Sequence, residues 1–409
     1  MDIGVIIKYY RQQRGWTQRD LGNGICSEAH LGRIEKGSTK VSTATINLLC
    51  ERLGIQEELE IERFKHLKVQ LRELNTMIVK IQLDTVENRL NDLTKNPIIY
   101  MDVFHPFFLL IRCRYALEIN NMDEFNKMLK ALNENYPALQ GFEWYMKEHI
   151  LGIKEGKEQK HHKALEHLIK IEGGEYPEYE FYYHIAVSLL YVNNQVKALS
   201  YAMKALDYFR QTNNFKRIID TETLLLILTQ NNDIDTFDDA IQKYRDLIQM
   251  CDIYQFHERR WILLMNFAKT YFLKKKFERA QTIYEEAKEL SLKMDDKAYY
   301  IASLIEQINS RLWQSKPFAD KEKEKWLGLI KEGVSLSRND ETMYFDLLIL
   351  LVEDEKELYY ENLYKVLVPH LMENGEFIDA RFYAKESYQY FLTIGREDTA
   401  AQIAMLMMK

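Results

Sequence analysis

Ser27, Glu28, Ala29, His30 and Arg33 fall within seven consecutive residues of the segment NGICSEAHLGRIEKG, 23–37. A hydroxyl, a carboxylate, an imidazole and a guanidinium at this spacing share the first two turns of one helix. Ser27 is a residue type that caps a helix start, and Gly37 one that ends it. Such a set donates, accepts and pairs charge along a flat polar edge, which is the chemistry of recognition rather than of bond making. The chain has no HExxH, GxxxxGK[ST], GxSxG or GxGxxG segment, and no catalytic activity is expected. His161, His162 and His167 lie close together in QKHHKALEH without cysteine or a carboxylate at ligand spacing. They read as a solvated loop and helix start, so no metal and no cofactor is expected. ADKEKEKW, 319–326, reads as an exposed charged helix face.

The elements that must hold these side chains are short helices. Asp2 can cap a first helix with Ile3, Ile6, Ile7 and Tyr10 at 3- and 4-residue spacing, ended by Gly15. Thr17 opens a second, with Asp20 three residues on in capping-box order, and Gly22 and Gly24 cut it short. The third carries Leu31 and Ile34 inward. A fourth, capped near Ser42 or Thr43, buries Ile46, Leu49 and Leu53 before Gly54. Helices two and three, joined by a glycine turn, make a helix-turn-helix unit, in which the start of the third helix reaches base edges in the DNA major groove. Thr17 and Gln18 open helix two towards the same groove, where Gln18 can bond a base or a phosphate. Ser38 and Lys40, in the loop after helix three, suit phosphate. Glu28 is compatible with this role because a carboxylate accepts from cytosine N4. A four-helix unit that binds protein instead is the alternative. Cys26 reads as a packing residue.

Net charge is −7 over 409 residues, which argues against a surface that coats nucleic acid. Between 8 and 40, however, Lys8, Arg11, Arg14, Arg19, Arg33, Lys36 and Lys40 face only Asp20, Glu28 and Glu35, a balance of +4. The basic charge is concentrated where the recognition helix lies. With 16 Gly and 6 Pro the sequence favours long helices with few turns. The length calls for more than one unit. Four dispersed cysteines, no apolar leader and no run longer than FDLLILLV, 345–352, point to a reduced, cytoplasmic protein without a membrane span.

From Glu57 to Lys95 no glycine or proline interrupts the chain. Leu67, Leu71, Leu74, Ile78 and Ile81 form the seam of a coiled coil or of a helix packed on one neighbour. KNPIIYMD, 95–102, then breaks the pattern. Beyond it, WILLMNFAKTYFLKKKFERAQTIYEEAKEL, 261–290, fits the tetratricopeptide pattern. Ala268 and Ala280 are its small residues, with Tyr271, Tyr284 and Ala287 following. Gly152 with Ala164, Ala186 with Ala198, and Leu228 with Ala240 repeat the frame at intervals of 34, 42 and 40 residues between second-helix alanines. Ala380, Ala384 and Ser387 mark a terminal pair, and seven or eight pairs are expected. The class is all-α: a helix-turn-helix domain at 1–56, a linker helix at 57–95, and a right-handed tetratricopeptide superhelix at 96–409. Groove positions on the first helices are Tyr183, His184, Val187 and Tyr191, then Leu225 and Thr229, then Ile262, Met265, Asn266, Lys269 and Phe272. Aromatics mixed with amides suit an extended peptide, because one amide both donates and accepts.

YYRQQRGWTQRDLGNGICSEAHLGRIEKG, followed by TATINLLCERLGI, resembles the Cro/cI-type (XRE) helix-turn-helix domain over about residues 3–56. Thr17-Gln18, Leu21, Ile25, Leu31, Ile34-Glu35 and Gly37 carry the likeness. The variant NGICSEAHLGRIEKG is most similar to that of the RNPP regulators (the Rap, NprR, PlcR and PrgX group), the NprR and PlcR branches above all. The resemblance implies that Arg11 pairs with Glu35 as a structural brace. Gly22 departs from it, standing where a small helix former is usual, and weakens helix two by up to about 1 kcal/mol. In that family asparagines of NLA-like segments clamp a bound peptide's backbone. Asn266, in MNFAKTY, matches such a position, though an ordinary capping or inter-helix amide is the alternative, and His184 stands in the equivalent place of YHIAVSLLY.

The resemblance therefore implies a cytoplasmic quorum-sensing transcriptional regulator. Its partners would be a double-stranded DNA operator, bound as a homodimer, and a short signalling peptide in the repeat groove. Two alternatives share the architecture. One is a Rap-like switch that inhibits a response-regulator protein, and the other a phage or mobile-element regulator.

Overall fold

The structure, a computed structural model, describes residues 3–229, 237–314, 320–338 and 341–407. Among these there is no β-strand, and no helix is long and apolar enough to cross a membrane. The expected cap Asp2 and the first residue of the 319–326 charge run lie outside the described residues.

Four helices form the head: α1 (Ile3–Gln13), α2 (Gln18–Gly22), α3 (Glu28–Glu35) and α4 (Thr43–Arg52). Their starts follow from side-chain caps. Thr17 Oγ1 accepts from the Asp20 amide at 3.1 Å while Asp20 accepts from the Thr17 amide at 2.8 Å, a complete capping box. Ser27 caps α3, and Ser42, rather than Thr43, caps α4. Ile7, Leu21, Leu31, Ile34, Ile46, Leu49 and Leu53 close one small core, with Cys50 inside it and Cys26 packed against its edge. Burial pushes the Cys50 thiol up to about 11 and raises that of Cys26, so both stay protonated thiols. At Gly4 the helices α1 and α3 approach so closely that a Cβ would lie 2.0 Å from the Ile34 carbonyl oxygen.

The expected linker helix is two helices, α5 (Glu57–Val79) and α6 (Val86–Thr94). The break comes at Ile81, whose φ of 55° is left-handed, and the seam stops at Ile78. Of the two readings of that seam, α5 takes the packed one. Phe64 meets Tyr9 of α1 at 6.1 Å and Phe104 at 5.8 Å, and Tyr10 Oη donates to Glu60 at 2.6 Å.

Eight helix pairs follow among the described residues. These are α7 (His105–Glu118) with α8 (Met122–Asn135), α9 (Gly141–Lys157) with α10 (His161–Leu168), and α11 (Phe181–Tyr191) with α12 (Gln195–Gln211). Next come α13 (Phe215–Thr229) with α14 (Phe237–Tyr254), α15 (His257–Leu273) with α16 (Phe277–Lys293), and α17 (Lys297–Leu312) with α18 (Asp320–Leu336). In the seventh pair α19 (Thr342–Val352) faces α20 (Lys356–Asn362), which runs through a π turn into α21 (Val368–Glu373); α22 (Phe377–Thr393) with α23 (Glu397–Met407) ends the stack. The chain forms two compact units, Met1–Ile150 with Gly173–Tyr176, and Leu151–Glu172 with Pro177–Lys409. The first unit thus takes in the head, α5, α6, the first helix pair and α9 as far as Ile150.

Few glycines do not mean few turns here. Asn120, Gln159, Asn193, Lys275, Asp295 and Asp354 hold left-handed φ between 55° and 64° at inter-helix turns. The residue after such a position returns its amide five residues back, as Asn194 does to the Leu189 carbonyl at 2.8 Å and Lys276 to Tyr271 at 2.9 Å.

Two glycines of the head should respond oppositely to alanine. At Gly22 a Cβ would meet only Cys26 and Leu31 side chains at 3.8 Å, with φ outside the left-handed region. Gly22→Ala should stabilise the chain by up to about 1 kcal/mol, and Gly4→Ala should destabilise it by about 1–3 kcal/mol through overpacking. Denaturant midpoints followed on the Trp16 side of the head check both signs.

Candidate functional site

A buried ion pair orients the recognition helix. Arg11 Nε and Nη2 donate to the two carboxylate oxygens of Glu35 at 2.6 and 2.9 Å, and Nη1 donates to the Trp16 carbonyl at 2.7 Å. Gln18 Nε2 adds a third donor to Glu35 at 2.8 Å. The carboxylate thus receives α1 and α2 together and fixes both against α3. A bidentate pair of this kind specifies geometry, and removing one partner typically costs about 3–5 kcal/mol. Gly32 leaves the room for Gln18, since a Cβ there would lie 3.3 Å from its Oε1. Sequence reasoning aimed Gln18 at a base or phosphate. One N–H of its amide donates to Glu35, and the side chain is half-buried against Gly32.

Arg52 of α4 was not anticipated. Its Nη1 donates to the Leu21 carbonyl at 2.8 Å and also to that of Asn23, so the turn between α2 and α3 is held from below. Arg14 likewise donates to the Leu53 carbonyl. Two of the seven basic residues in the 8–40 window, Arg11 and Arg14, therefore serve the head's own frame.

Thr17, Ser27, Glu28, Ala29, Arg33, Ser38 and Lys40 are exposed, and His30 is half-buried. Three hydroxyls are tied locally: Thr17 to Asp20, Ser27 accepting from the His30 amide at 3.3 Å, and Ser38 donating to the Arg33 carbonyl at 3.2 Å. Ala29 and Arg33, one turn apart, lie on the exposed side of a helix whose other side buries Leu31, Ile34 and Glu35. Glu28, Ala29, Arg33 and Lys40 are thus the open positions of the head.

In the second unit the expected groove residues divide. Tyr183 faces the Arg217 guanidinium at 5.3 Å, and burial raises its hydroxyl pKa. Arg217 pairs with Glu180 at 3.1 Å, and Arg259 reaches Asp220 at 2.9 Å. His184 stands 3.6 Å from Glu180, with Val187 partly buried one turn on. Tyr191 stacks on His161 at 4.3 Å, so His161 is a half-buried packing residue rather than a solvated one. Leu225 is partly buried, and its carbonyl accepts from Thr229 at 2.9 Å. Asn266 Nδ2 donates to the Ile262 carbonyl at 2.9 Å, within its own helix and not to a neighbouring one. Phe272 is fully buried against Phe277, Trp313 and Phe382, at 5.1, 5.7 and 5.4 Å. It is a core residue because α22 covers the last turn of α15.

Met265 and Lys269 do line a cavity of about 260 Å³, together with side chains of α17, α19, α20–α21 and α22. Lys269 Nζ lies 2.9 Å from Asp379 and 3.8 Å from Glu306. Burial pulls the Lys269 pKa down, but the two carboxylates outweigh it and keep the ammonium charged. Asn309 donates to Tyr383 Oη at 2.9 Å on the same wall. Desolvation at the rim, with Asp379 beside it, pushes the Glu376 carboxyl from 4.5 up to about 7. None of Glu306, Asn309, Glu376, Asp379 and Tyr383 was anticipated. Glu306 and Asn309 fall outside the small-residue frame that marks the repeats, and Asp379 precedes the small residues of the terminal pair.

The raised Glu376 carboxyl links stability to pH. Between about 4.5 and 7 the folded chain holds a proton that the unfolded chain has lost. Stability from this group therefore falls as pH rises through that window and is level outside it. Glu376→Gln should remove this slope, so that the variant gains on the wild type between about pH 5 and 7.5. Parallel urea titrations at several pH values measure the difference.

Residues 7–59 match the helix-turn-helix family. Over 400 residues the chain is 23% identical to the transcriptional activator NprA of Geobacillus stearothermophilus, covering 91% of this chain and 94% of that one. A Rap protein solved with competence and sporulation factor superposes with a TM-score of 0.67 at 15% identity, over 84% of this chain and 97% of that one. The quorum sensor NprR of B. thuringiensis does so at 0.64 in its apo form, at 19% identity over 84% and 98% of the two chains. NprR in complex with its cognate peptide NprX gives 0.61 at the same identity and coverage. A braced helix-turn-helix head ahead of tetratricopeptide-like pairs is thus the fold that the chain shares with these proteins.

Proposed function

We propose that the chain is a transcriptional regulator that binds operator DNA through α3 and receives a short signalling peptide in its repeat domain. The observation that carries the DNA half is the Arg11–Glu35–Gln18 brace, which turns the Ala29–Arg33 face of α3 outward. One head contacts too few bases for useful specificity, so the working form is a cytoplasmic homodimer on two half-sites spaced by about 34–36 Å or a multiple of it. The peptide half rests on the groove positions of α15, Met265, Asn266 and Lys269, and on the peptide complex of the related fold. Peptide acts by binding one repeat-domain conformation better than another, which shifts the spacing between the dimer's heads.

Purified protein should select discrete fragments from the host's genomic DNA, and their binding should survive moderate salt. Uniform, steeply salt-dependent capture of all fragments would reject sequence-specific reading. On a selected fragment, Arg33→Ala should lose about 1–3 kcal/mol, roughly five- to 150-fold in affinity. An unchanged footprint and affinity would exclude Arg33 from the interface.

Asn266→Ala should abolish the response to peptides secreted by the host while basal operator binding stays intact. Fluorescence anisotropy on the selected fragment, with and without a peptide fraction of the culture medium, reads both quantities. A variant that keeps the full peptide response would remove Asn266 from the site.

A further inference from the structure

The cavity between α15, α17, α19 and α22 carries more negative charge than its own side chains neutralise. Glu306, Glu376 and Asp379 gather around Lys269, the one cation among the described residues that line it. Lys269 leans to Asp379 at 2.9 Å and stands 3.8 Å from Oε1 of Glu306. The other oxygen of Glu306, Oε2, is buried and has no hydrogen-bond partner. A second, independent feature points to the same place. Tyr284 is 1% exposed, its hydroxyl has no hydrogen-bond partner, and Glu306, Lys269 and Asp379 are the charged groups that act on it. Buried acceptors and donors are otherwise nearly always paired. An anionic oxygen enclosed without a donor is among the costlier things to bury.

The rest of the wall fits the other half of a guest. Leu347, Leu363 and Leu367 offer aliphatic surface, and Tyr344 and Tyr383 offer rings and hydroxyls beside the carboxylates. A ligand that satisfies all of this has a positive head, several N–H donors and an unbranched apolar stem. An ammonium or guanidinium meets the carboxylate side of the wall, Glu306 with Glu376 and Asp379, aromatic faces attract the same charge, and leucines cover the methylenes.

We propose that this cavity is a specificity pocket for a basic side chain, lysine or arginine, of the signalling peptide. The proposal rests on the peptide reading of the repeat domain. Its groove residues Met265 and Lys269 are shared between the two, so a peptide along α15 passes the pocket's mouth. Lys269 is the pocket's internal counter-ion, and the guest shares the carboxylates with it.

The test uses the full chain, immobilised, and a synthetic library of heptapeptides randomised at every position, with bound peptides read by mass spectrometry. Wild-type protein should enrich peptides carrying lysine or arginine at one fixed position, at least tenfold over leucine or norleucine there. Glu306→Gln should reduce that preference tenfold or more while still capturing peptides. Because it replaces a half-buried carboxylate whose Oε2 has no hydrogen-bond partner, its thermal midpoint without peptide should equal or exceed that of the wild type. Enriched peptides with no basic position would overturn the pocket and leave the peptide reading standing, as would a basic preference unchanged in Glu306→Gln. Capture of no peptide at all would overturn both. Agmatine and cadaverine form a parallel arm, since they carry the same chemistry without a peptide. If either raises the wild-type thermal midpoint and no peptide is captured, the guest is a free amine and the peptide source is wrong.

Discussion

Close approach between paired helices is the constraint on which the repeat domain depends. A tetratricopeptide helix has one apolar face and cannot bury it alone, so each pair is stable only against its neighbours. The approach is set by small residues. A Cβ on Gly152 would lie 2.5 Å from Leu168, and Ala186, Ala198, Ala268 and Ala280 are wholly buried. With the axes this near, large rings one turn on from the small residues fill the space between pairs. Tyr244 and Tyr284, each four residues after its alanine, are 0% and 1% exposed. The same spacing that buries these rings also buries their hydroxyls, and the two fare differently. Tyr244 Oη has the Thr270 hydroxyl at 3.5 Å, whereas Tyr284 Oη has no hydrogen-bond partner. A packing rule followed in both repeats thus leaves a polar debt in one of them, next to the cavity.

The head solves a different problem with charge. Its helices are too short to be held by apolar contact alone, for α2 has five residues and α3 eight. Leu21, Leu31 and Ile34 supply adhesion but little direction, since apolar packing of small helices tolerates rotation. Glu35 supplies direction, because three donors from two other helices converge on its oxygens. Arg52 does the same for the turn by taking two carbonyls at once. A recognition helix must present its outer face at a fixed angle, and the inward-facing charges set that angle.

The sequence announced the head almost completely, because caps are local. Thr17 with Asp20, and Ser27 with the His30 amide, are contacts three residues long, and the glycines that stop the helices need no tertiary partner. The alanine frame of the repeats was equally plain, since a small residue in a helix pair has one use. Other features are set by what lies across the fold. The break at Ile81 has neither glycine nor proline, and the left-handed turns are made by Asn, Gln, Lys and Asp, which composition does not flag. Phe272 has the spacing of a groove residue, yet α22, more than a hundred residues on, covers it. Asp379 and Glu306 come together on Lys269 only because that same helix returns to α15, and neither belongs to a motif.

Two glutamates, Glu35 buried and Glu306 half-buried, show how one kind of group serves two ends. Glu35 is 4% exposed and both of its oxygens accept from Arg11, so its charge is wholly answered and its surroundings are closed. Glu306 has Lys269 only at 3.8 Å from one oxygen and no hydrogen-bond partner on the other, and its side chain lines the cavity. A carboxylate in the first condition is a fastener, since no further ligand can improve it. In the second it stores electrostatic potential inside a low-dielectric wall, where an added positive charge is worth far more than at the surface. The cavity remains open because the nearest cation is already shared with Asp379, which is the closer partner. Filling it with a second lysine of the protein's own would give Glu306 a closer cation and close the space.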